Sequence, residues 1–246
     1  MLNFRLIPIL TIIDEDLVKT KNFNKPKYVG DPLNAVRIFN DKFVDEIIVL
    51  DIGEKNQSPN FKFIFEVAAE CFMPLTYGGK IKSIEHANSL FELGVEKISL
   101  NSLLYSDTEM VKNLVNEFGS SSIVASIDYK LDKNGRAYAF NRNFKNFNYE
   151  LKYMVNKVQS YGVGELLLTS INCEGLMNGY DNDIIDEINN IIEIPLVYNG
   201  GISNDLDIID ISKKQISGVG VGSYFVFFGP HEAVLIHYPK IDFNEK

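Results

Sequence analysis

The chain has little of several features by which proteins are commonly classified. Its 246 residues include only two cysteines, Cys71 and Cys173, so the sequence offers no disulfide framework and fits a reducing compartment. Acidic residues outnumber basic ones by 33 to 24, and the resulting net charge of −9 argues against general nucleic-acid binding. No apolar run approaches the roughly 18 residues that a membrane span needs. We therefore expect a cytoplasmic protein without a membrane span.

The sequence also lacks the common motifs of metal and nucleophile chemistry. Its histidines, His86, His231 and His237, have no partners at ligand or triad spacing, and no Gly-x-Ser-x-Gly motif is present. Residues 1–13 are apolar, but they have no small-residue cleavage site and run directly into an acidic triplet. This stretch predicts a strand rather than a signal peptide. We expect neither a metal nor a cofactor.

What the sequence does contain is a phrase that occurs twice. Residues 74–81 read PLTYGGKI and residues 195–202 read PLVYNGGI, and each phrase lies between two helical patterns. Asn101-Ser102 lies at the same distance after the first phrase as Gly222-Ser223 after the second. One internal period in two halves suggests a duplicated β/α architecture.

Strand and helix patterns alternate about eight times along the chain, which is the count of a TIM barrel. Residues 6–13 predict the first strand, residues 14–30 a polar loop, and Asn134-Gly135 a hairpin turn. A short amphipathic helix is predicted up to about Tyr238. The sequence therefore predicts one α/β domain over residues 1–246, a TIM (β/α)8 barrel with a two-fold internal half-barrel repeat. A doubly wound open sheet is the alternative.

Polar residues at the carboxyl ends of the strands are natural candidates for chemistry in such a fold. Asp128 ends an apolar strand, where loss of solvation would raise its pKa into a range useful for acid–base catalysis. A structural role, such as a helix cap, is the alternative. The glycine turns at Gly78-Gly79, Gly200-Gly201 and Gly222-Ser223 either offer N–H groups to a phosphate or merely permit tight turns.

Several charged residues allow two interpretations. Lys80 stands where the second phrase has Gly201, and it either supplies a cation to a ligand or is a solvated loop residue. The lysine-rich loop over residues 19–27 is either a solvated face or an active-site lid. Four charged residues begin predicted strands at the bottom of the barrel: Arg5, Glu46, Lys97 and Glu165. They form a ring of salt bridges there, or they are unrelated surface charges.

As a set, several phrases of the chain are specific to one family. They include RLIPIL, YVGDPLNAV, PLTYGG, GVEKISLNS, IVASID, GELLLTSI and NGYD, within residues 1 to about 237. By these phrases the chain resembles HisF, the cyclase barrel subunit of imidazole glycerol phosphate synthase. The resemblance implies that a glutaminase subunit docks on the barrel bottom and that its ammonia travels up the barrel. It also implies that the four charged residues at the bottom form the gate for that ammonia.

The resemblance further implies two phosphate sites. In one half the family's phosphate-binding positions match Gly79, Asn101 and Ser102, with Lys80 in place of a glycine. In the other half they match a larger set: Gly175, Gly200, Gly201, Gly222 and Ser223. The loop that holds Gly175 carries Glu174 in place of an aspartate.

The resemblance also implies a pair of catalytic aspartates, of which only one is present. The second aspartate is Asp128, whereas the position of the first holds Thr11. A threonine cannot take or give a proton near neutral pH as a carboxylate does. This departure puts the cyclase reaction in doubt, while the residues implied for the ammonia gate are all present.

A narrower resemblance fits this pattern. KPKYVGDPLNAVRIFN, ECFMPLTYGG and HEAVLIHYP resemble the HisF paralogues of surface-polysaccharide loci, called WbuZ-type glycosyl-amidation-associated proteins. This resemblance implies that the barrel passes ammonia from a HisH-like glutaminase to a sugar amidotransferase, which turns an acetamido sugar into an acetamidino sugar. The small-molecule partner would be a phosphorylated sugar or a nucleotide sugar.

Two alternatives stay open. One is a working histidine-pathway cyclase, in which Asp14 or another loop carboxylate replaces the missing acid. The other is a non-catalytic scaffold that binds the glutaminase without conducting ammonia.

Overall fold

A computed structural model describes residues 4–143, 149–241 and 243. The strands in chain order are β1 Arg5–Ile13, β2 Asp16–Lys21, β3 Asn24–Gly30, β4 Ile47–Asp51, β5 Leu75–Gly78, β6 Lys97–Leu100, β7 Ile123–Leu131, β8 Ala137–Phe140, β9 Tyr149–Glu150, β10 Glu165–Ser170, β11 Leu196–Asn199, β12 Gly218–Val221, β13 Phe227–Phe228 and β14 Ala233–Val234. The α-helices are α1 Pro32–Asp41, α2 Phe61–Glu70, α3 Ile84–Glu92, α4 Leu103–Ser106, α5 Thr108–Phe118, α6 Leu151–Gln159, α7 Asn182–Asn189 and α8 Asp205–Ser212. In this described part of the chain, no helix is both long enough and apolar enough to cross a bilayer.

Parallel strands close into a barrel. They pair in the order β10, β11, β12, β1, β4, β5, β6 and β7, and β7 pairs with β10 to complete the ring. The strands alternate with helices along the chain, and a large apolar cluster joins the two layers. The architecture is the predicted TIM (β/α)8 barrel. The alternative of an open sheet is wrong, because the barrel strands leave no free edge.

The strand registers confirm the two-fold repeat. Gly78 of the first phrase pairs with Leu50, and Asn199, at the same place in the second phrase, pairs with Thr169. Each half therefore presents its phrase to the preceding strand in the same register. As a result, every residue near the ends of these strands has a definite counterpart in the other half.

Successive side chains of each barrel strand point alternately to the helix layer and to the barrel axis. The axis is filled by a small cluster of aliphatic side chains: Ile7, Ile9, Ile48, Leu50, Val124, Leu167 and Val197. This cluster separates the amino-terminal ends of the strands, at the bottom, from their carboxyl ends, at the top. Charged groups at the two ends are therefore insulated from each other by hydrocarbon.

Polar residues begin the helices as the sequence indicates, with one exception. Asp31 caps α1 by accepting a hydrogen bond from the Leu33 N–H at 2.9 Å, and Pro32 occupies the first turn, where its missing N–H does no harm. Ser83 caps α3 in the same way. Ser58-Pro59 in the sequence has the pattern of a helix start and predicts that α2 begins there, but this prediction is wrong, because Asn60 caps that helix.

Two predicted loops contain regular structure. Residues 14–30 form a hairpin, in which β2 pairs with both β1 and β3, so the polar-loop prediction is wrong. β7 continues past Asp128 to Leu131 and pairs with β8. The turn at Asn134-Gly135 is confirmed, and Gly135 has a φ of 77°. The polar residues 129–146 predict a loop around this turn, and residues 144–146 of that range lie outside the described residues.

The predicted final helix is wrong. Between Gly222 and Ile241 the chain forms a 3-10 turn over Ser223–Phe225 and the short β13–β14 hairpin, and it then runs without regular structure. Phe225 is fully buried, and its ring lies 6.3 Å from that of Phe39 on α1. The Tyr238 hydroxyl donates to the Leu6 carbonyl at 3.0 Å. This tail covers the side of the barrel where an eighth helix would pack.

The tail should therefore contribute substantially to stability. Replacing Phe225 with Ala should lower the free energy of unfolding by about 3–5 kcal/mol, because the change leaves a large cavity between α1 and the tail. Urea denaturation followed by circular dichroism measures the loss. Phe228→Ala is the matched control, because Phe228 is 63% exposed and its loss should stay within about 0.5 kcal/mol. Equal effects of the two substitutions would show that the tail does not seal the core.

Candidate functional site

The candidate site lies at the top of the barrel, and its two halves can be compared residue by residue. Thr11 pairs with Leu50, and Asp128 pairs with Thr169, which is the counterpart of Leu50. Thr11 and Asp128 are therefore counterparts across the two-fold repeat. A carboxylate stands in one half, and a hydroxyl stands in the equivalent place of the other.

Asp128 lies in an environment suited to proton transfer. Its carboxylate accepts a hydrogen bond from the Asn101 amide at 3.0 Å. Burial raises the pKa of Asp128 to about 7, the Asn101 hydrogen bond opposes that rise, and the negative charge of Glu174 adds to it. A carboxyl group that is half protonated near neutral pH can act as either a general acid or a general base. No capping hydrogen bond involves Asp128 among the described residues, so the structure does not support a helix-cap role for it.

Thr11 faces a small cavity in the second half of the site. The cavity has a volume of about 30 Å³, and its walls include Lys19, Glu174, Gly201, Gly222 and Ser223. Such a space admits about one or two water-sized molecules. The structure thus brings Thr11 together with most of the residues proposed for the second phosphate site.

Lys19 is the functional candidate that the sequence analysis did not single out. It was grouped with a lysine-rich loop, but it lies on β2, is 5% exposed, and donates from Nζ to the Ile9 carbonyl at 2.6 Å. Burial lowers the pKa of Lys19 to about 8, and the charge of Glu174 partly opposes that effect. The solvated-face interpretation is therefore wrong for Lys19. Its position between Val18 and Thr20 in a strand-forming run was the signal that could have revealed it.

Glu174 connects the hairpin to the opposite loop. Its carboxylate accepts from the Thr20 hydroxyl at 2.8 Å and from the Phe23 N–H at 3.0 Å. Burial raises its pKa, although both hydrogen bonds and the charge of Lys19 oppose the rise. The neighbouring Gly175 has a φ of 74°, and a Cβ there would collide with the Thr20 carbonyl. Gly175 thus permits close contact with the hairpin that covers the cavity.

The first half of the site has different chemistry. Lys80 Nζ lies 2.6 Å from Asp51 Oδ2, and the two side chains are only 11% and 8% exposed. Gly79 next to Lys80 packs against the Asp51 backbone. The interpretation of Lys80 as a solvated loop residue is therefore wrong. Its charge lies inside the barrel mouth and is paired with a carboxylate of the chain itself.

The other first-half residues are also engaged within the protein. Asn101 accepts at Oδ1 from the Asn141 amide at 2.8 Å, while its own amide donates to Asp128. The Ser102 hydroxyl accepts from the Asn143 amide at 3.3 Å. The groups named for the first phosphate site therefore lie close together, but their side chains already have partners.

At the bottom of the barrel the four charged strand starts form a closed ring. Arg5 contacts Glu46 at 2.5 Å and Glu165 at 2.8 Å, and Lys97 contacts the same two carboxylates at 3.0 and 3.4 Å. Burial would lower the pKa of Arg5, but the attraction of both carboxylates outweighs it and raises the pKa. The alternative of unrelated surface charges is wrong. We call these four residues the ionic ring.

A gain in folding stability does not explain why these charges are buried together. The Glu46 and Glu165 side chains are 3% and 9% exposed, so both carboxylates have lost most of their hydration. The cost of that desolvation offsets much of the attraction in a buried ion pair. Across the described residues, moreover, no group of three His, Cys, Asp or Glu side chains could hold a metal ion. Net stabilisation of the fold therefore does not explain why these four charges lie together.

Comparisons with known proteins agree with this geometry. The family described as histidine biosynthesis protein matches residues 5–231. A Pseudomonas aeruginosa protein provisionally named imidazole glycerol phosphate synthase subunit hisF2 is 43% identical over 246 residues, with 98% of each chain covered. A Leptospira borgpetersenii protein provisionally named as the HisF subunit is 43% identical, covering 98% of this chain and 96% of its own. The HisF subunit of Natranaerobius thermophilus is 34% identical over 230 residues, 92% of both chains.

The titration of Asp128 can be measured directly. Its carboxyl ¹³C resonance should titrate with a midpoint near pH 7, because burial disfavours the charged form. Asn101→Ala should move the midpoint upward, since it removes the hydrogen bond that stabilises the carboxylate, and Glu174→Gln should move it downward. Because the folded state holds this proton up to about pH 7, the contribution to stability should fall as pH rises from about 4 to 7. A midpoint near 4 would contradict this account.

Proposed function

The chain belongs to the histidine biosynthesis protein family, and on that premise we propose that it is the synthase subunit of a glutamine amidotransferase complex. In this proposal a HisH-like glutaminase docks on the bottom of the barrel and releases ammonia at the ionic ring. The ammonia then passes along the barrel axis to the top. The observation that carries the proposal is the ionic ring itself, a closed set of buried charges at the entrance to an apolar axis.

The interior above the ring supports transport of a small neutral molecule. The axis is lined by aliphatic side chains, so a hydrated ion would lose its water without compensation. Hydroxyl groups interrupt this lining at Thr76, Ser99 and Ser126, all of which are buried. Thr76 donates to Glu46 of the ring at 2.7 Å, whereas the Ser99 hydroxyl has no hydrogen-bond partner in the part of the chain that the structure describes. An unpaired buried hydroxyl can give or receive a hydrogen bond from passing ammonia.

The bottom surface supports docking of a protein. Phe43 and Phe72 are 91% and 84% exposed, and both lie in loops that lead into strands at the bottom of the barrel. Asn40 holds both loops: its carbonyl accepts from the Phe43 N–H at 3.0 Å, and its side chain accepts from the Phe72 N–H at 3.1 Å. Two exposed aromatic rings on fixed loops are typical anchors of a protein interface.

For the final product we propose amidation of a surface-polysaccharide sugar, from acetamido to acetamidino, with a sugar amidotransferase as a further partner. The support comes from the top of the barrel. The counterpart of Asp128 is Thr11, so the paired carboxylates that a cyclase would use there are missing. The hisF2 designation of the Pseudomonas relative also fits a HisF-like protein additional to the histidine-pathway subunit.

A histidine-pathway cyclase is the second candidate, favoured by the raised pKa of Asp128 and by the name of the Natranaerobius relative. It needs another carboxylate in place of Thr11. Asp14 lies near the same strand end, but it pairs with Lys55 at 2.6 Å. That ion pair would have to break before Asp14 could serve as the missing acid.

The complex can be tested with the purified glutaminase. Adding the barrel should raise glutamine hydrolysis at least ten-fold, because docking is expected to activate the glutaminase. Lys97→Leu should keep the two proteins bound but lower the share of glutamine nitrogen that reaches the product, because the ring no longer guides ammonia inward. Free and product-bound nitrogen are measured with ¹⁵N-labelled glutamine.

Lys112→Leu is the matched control, since Lys112 pairs only with Glu109 on the exposed face of α5. Circular dichroism checks that each variant is folded. A barrel that does not stimulate the glutaminase contradicts the complex. Unchanged nitrogen transfer in Lys97→Leu would instead support a scaffold that conducts no ammonia.

The two candidate products are distinguished in cells. Expression of this chain with its glutaminase should fail to restore growth of a histidine auxotroph that lacks the cyclase subunit, because Thr11 leaves Asp128 without an acid–base partner. Thr11→Asp should restore some growth if the rest of the site is still suited to the cyclase reaction. Growth with the unchanged chain would overturn the sugar-amidation proposal in favour of the cyclase. Immunoblotting confirms that the proteins are present.

A further inference from the structure

One of the differences between the two halves of the barrel top is at a matched pair of positions. Gly201 and Ser170 form the pair in the second half, and Lys80 and Asp51 are their counterparts in the first half, as the strand registers show. Ser170 directs its hydroxyl to Asp181 at 2.6 Å, away from the turn. A small neutral pair in one half is thus replaced by an ion pair in the other.

Lys80 occupies its turn in an unusual conformation. Its φ is 60°, in the left-handed region that favours glycine, whereas Gly201 at the equivalent place has a φ of 92°. A lysine held in this conformation is strained, so its side chain must find compensating contacts. Lys80 finds them in Asp51, whose other carboxylate oxygen accepts from the Gly53 N–H at 2.9 Å. Asp51 is therefore fixed in place as the partner of Lys80.

The residues that face the two glycine turns also differ between the halves. In the second half, Gly222 leaves room for the ammonium of Lys19, which would lie 3.0 Å from a Cβ at that glycine. In the first half, Asn101 is the counterpart of Gly222, as the pairing of β5 with β6 and of β11 with β12 shows. Asn141 is the counterpart of Lys19, as the pairing of β1 with β2 and of β7 with β8 shows. These two side chains donate and accept a hydrogen bond at 2.8 Å. Among the described residues, Lys19 in the second half has no ion-pair partner within 4.0 Å, whereas the first half holds a hydrogen bond between two neutral amides.

We propose that the Lys80–Asp51 ion pair closes the first-half anion site, so that the barrel takes a ligand with a single anionic end. The phosphate of that ligand lies at the second-half turn beside Lys19, and its uncharged polar end faces Asp51 and Lys80. A phosphate at the first-half turn would have to compete with Asp51 for Lys80 and would meet the negative charge of that carboxylate. A sugar carrying one phosphate fits this arrangement, and a ligand with a phosphate at each end does not.

This inference rests on the proposed function for its sugar ligand, and on the second phosphate site that the resemblance to HisF implies. It is tested by titrating the full chain with inorganic phosphate and with ribose 5-phosphate, while backbone amide resonances are followed by NMR. In the unchanged protein, the amides of Gly200, Gly201 and Ser223 should shift and saturate, and those of Gly79 and Ser102 should not. Asp51→Asn should release Lys80 and raise the affinity of the first-half amides for phosphate at least ten-fold.

Glu54→Gln is the control for a general change in charge, because Glu54 lies in the loop after β4 and pairs with the exposed Arg142 instead of Lys80. It should leave the first-half amides unresponsive. Saturable shifts at Gly79 in the unchanged protein, or none there in Asp51→Asn, would overturn the inference. An absence of shifts at the second-half amides would instead contradict the second phosphate site that the resemblance to HisF implies, and Asp51→Asn would still decide the role of Lys80.

Discussion

The pairing of β7 with β10 is the contact that completes the barrel, and the rest of the molecule depends on it. Because the barrel strands run in parallel, their starts meet at one end and their carboxyl ends at the other. Closure brings Arg5 to Glu165 across a sequence separation of 160 residues. It also brings Thr11, Asp128 and both glycine turns to the opposite end. Without a closed ring of strands, neither group of residues would share an axis.

The barrel axis separates two groups of charged residues that lie in different environments. At the bottom, charges of both signs neutralise one another within hydrogen-bond distance. The ionic ring contributes little net stability, because the loss of hydration offsets much of the attraction between its charges. At the top, burial lowers the pKa of Lys19 and raises that of Asp128. The aliphatic layer between them keeps water and ions from connecting the two ends. This division suits a protein that receives a small neutral molecule at one end and uses it at the other.

The duplicated architecture makes the differences between the halves informative. The equivalent backbone places Thr11 opposite Asp128 and Lys80 opposite Gly201, so each difference is a change of chemistry within the same geometry. The second half keeps a small cavity and a buried lysine, whereas the first half is occupied by its own side chains. The two halves of a repeated fold thus hold different side chains in equivalent places.

The sequence by itself determined the barrel, its two-fold repeat and the positions of Asp128 and the ionic-ring residues, because these follow from local periodicity and from the order of strands. It did not predict the hairpin over residues 14–30 or the missing last helix. Only the tertiary structure decided that Lys19 points inward, that Lys80 pairs with Asp51 and that Phe225 seals the core. The physical reason is that burial and pairing of a side chain depend on segments far away in the chain. A lysine in a polar run has the same local pattern whether its charge meets water or a carboxylate.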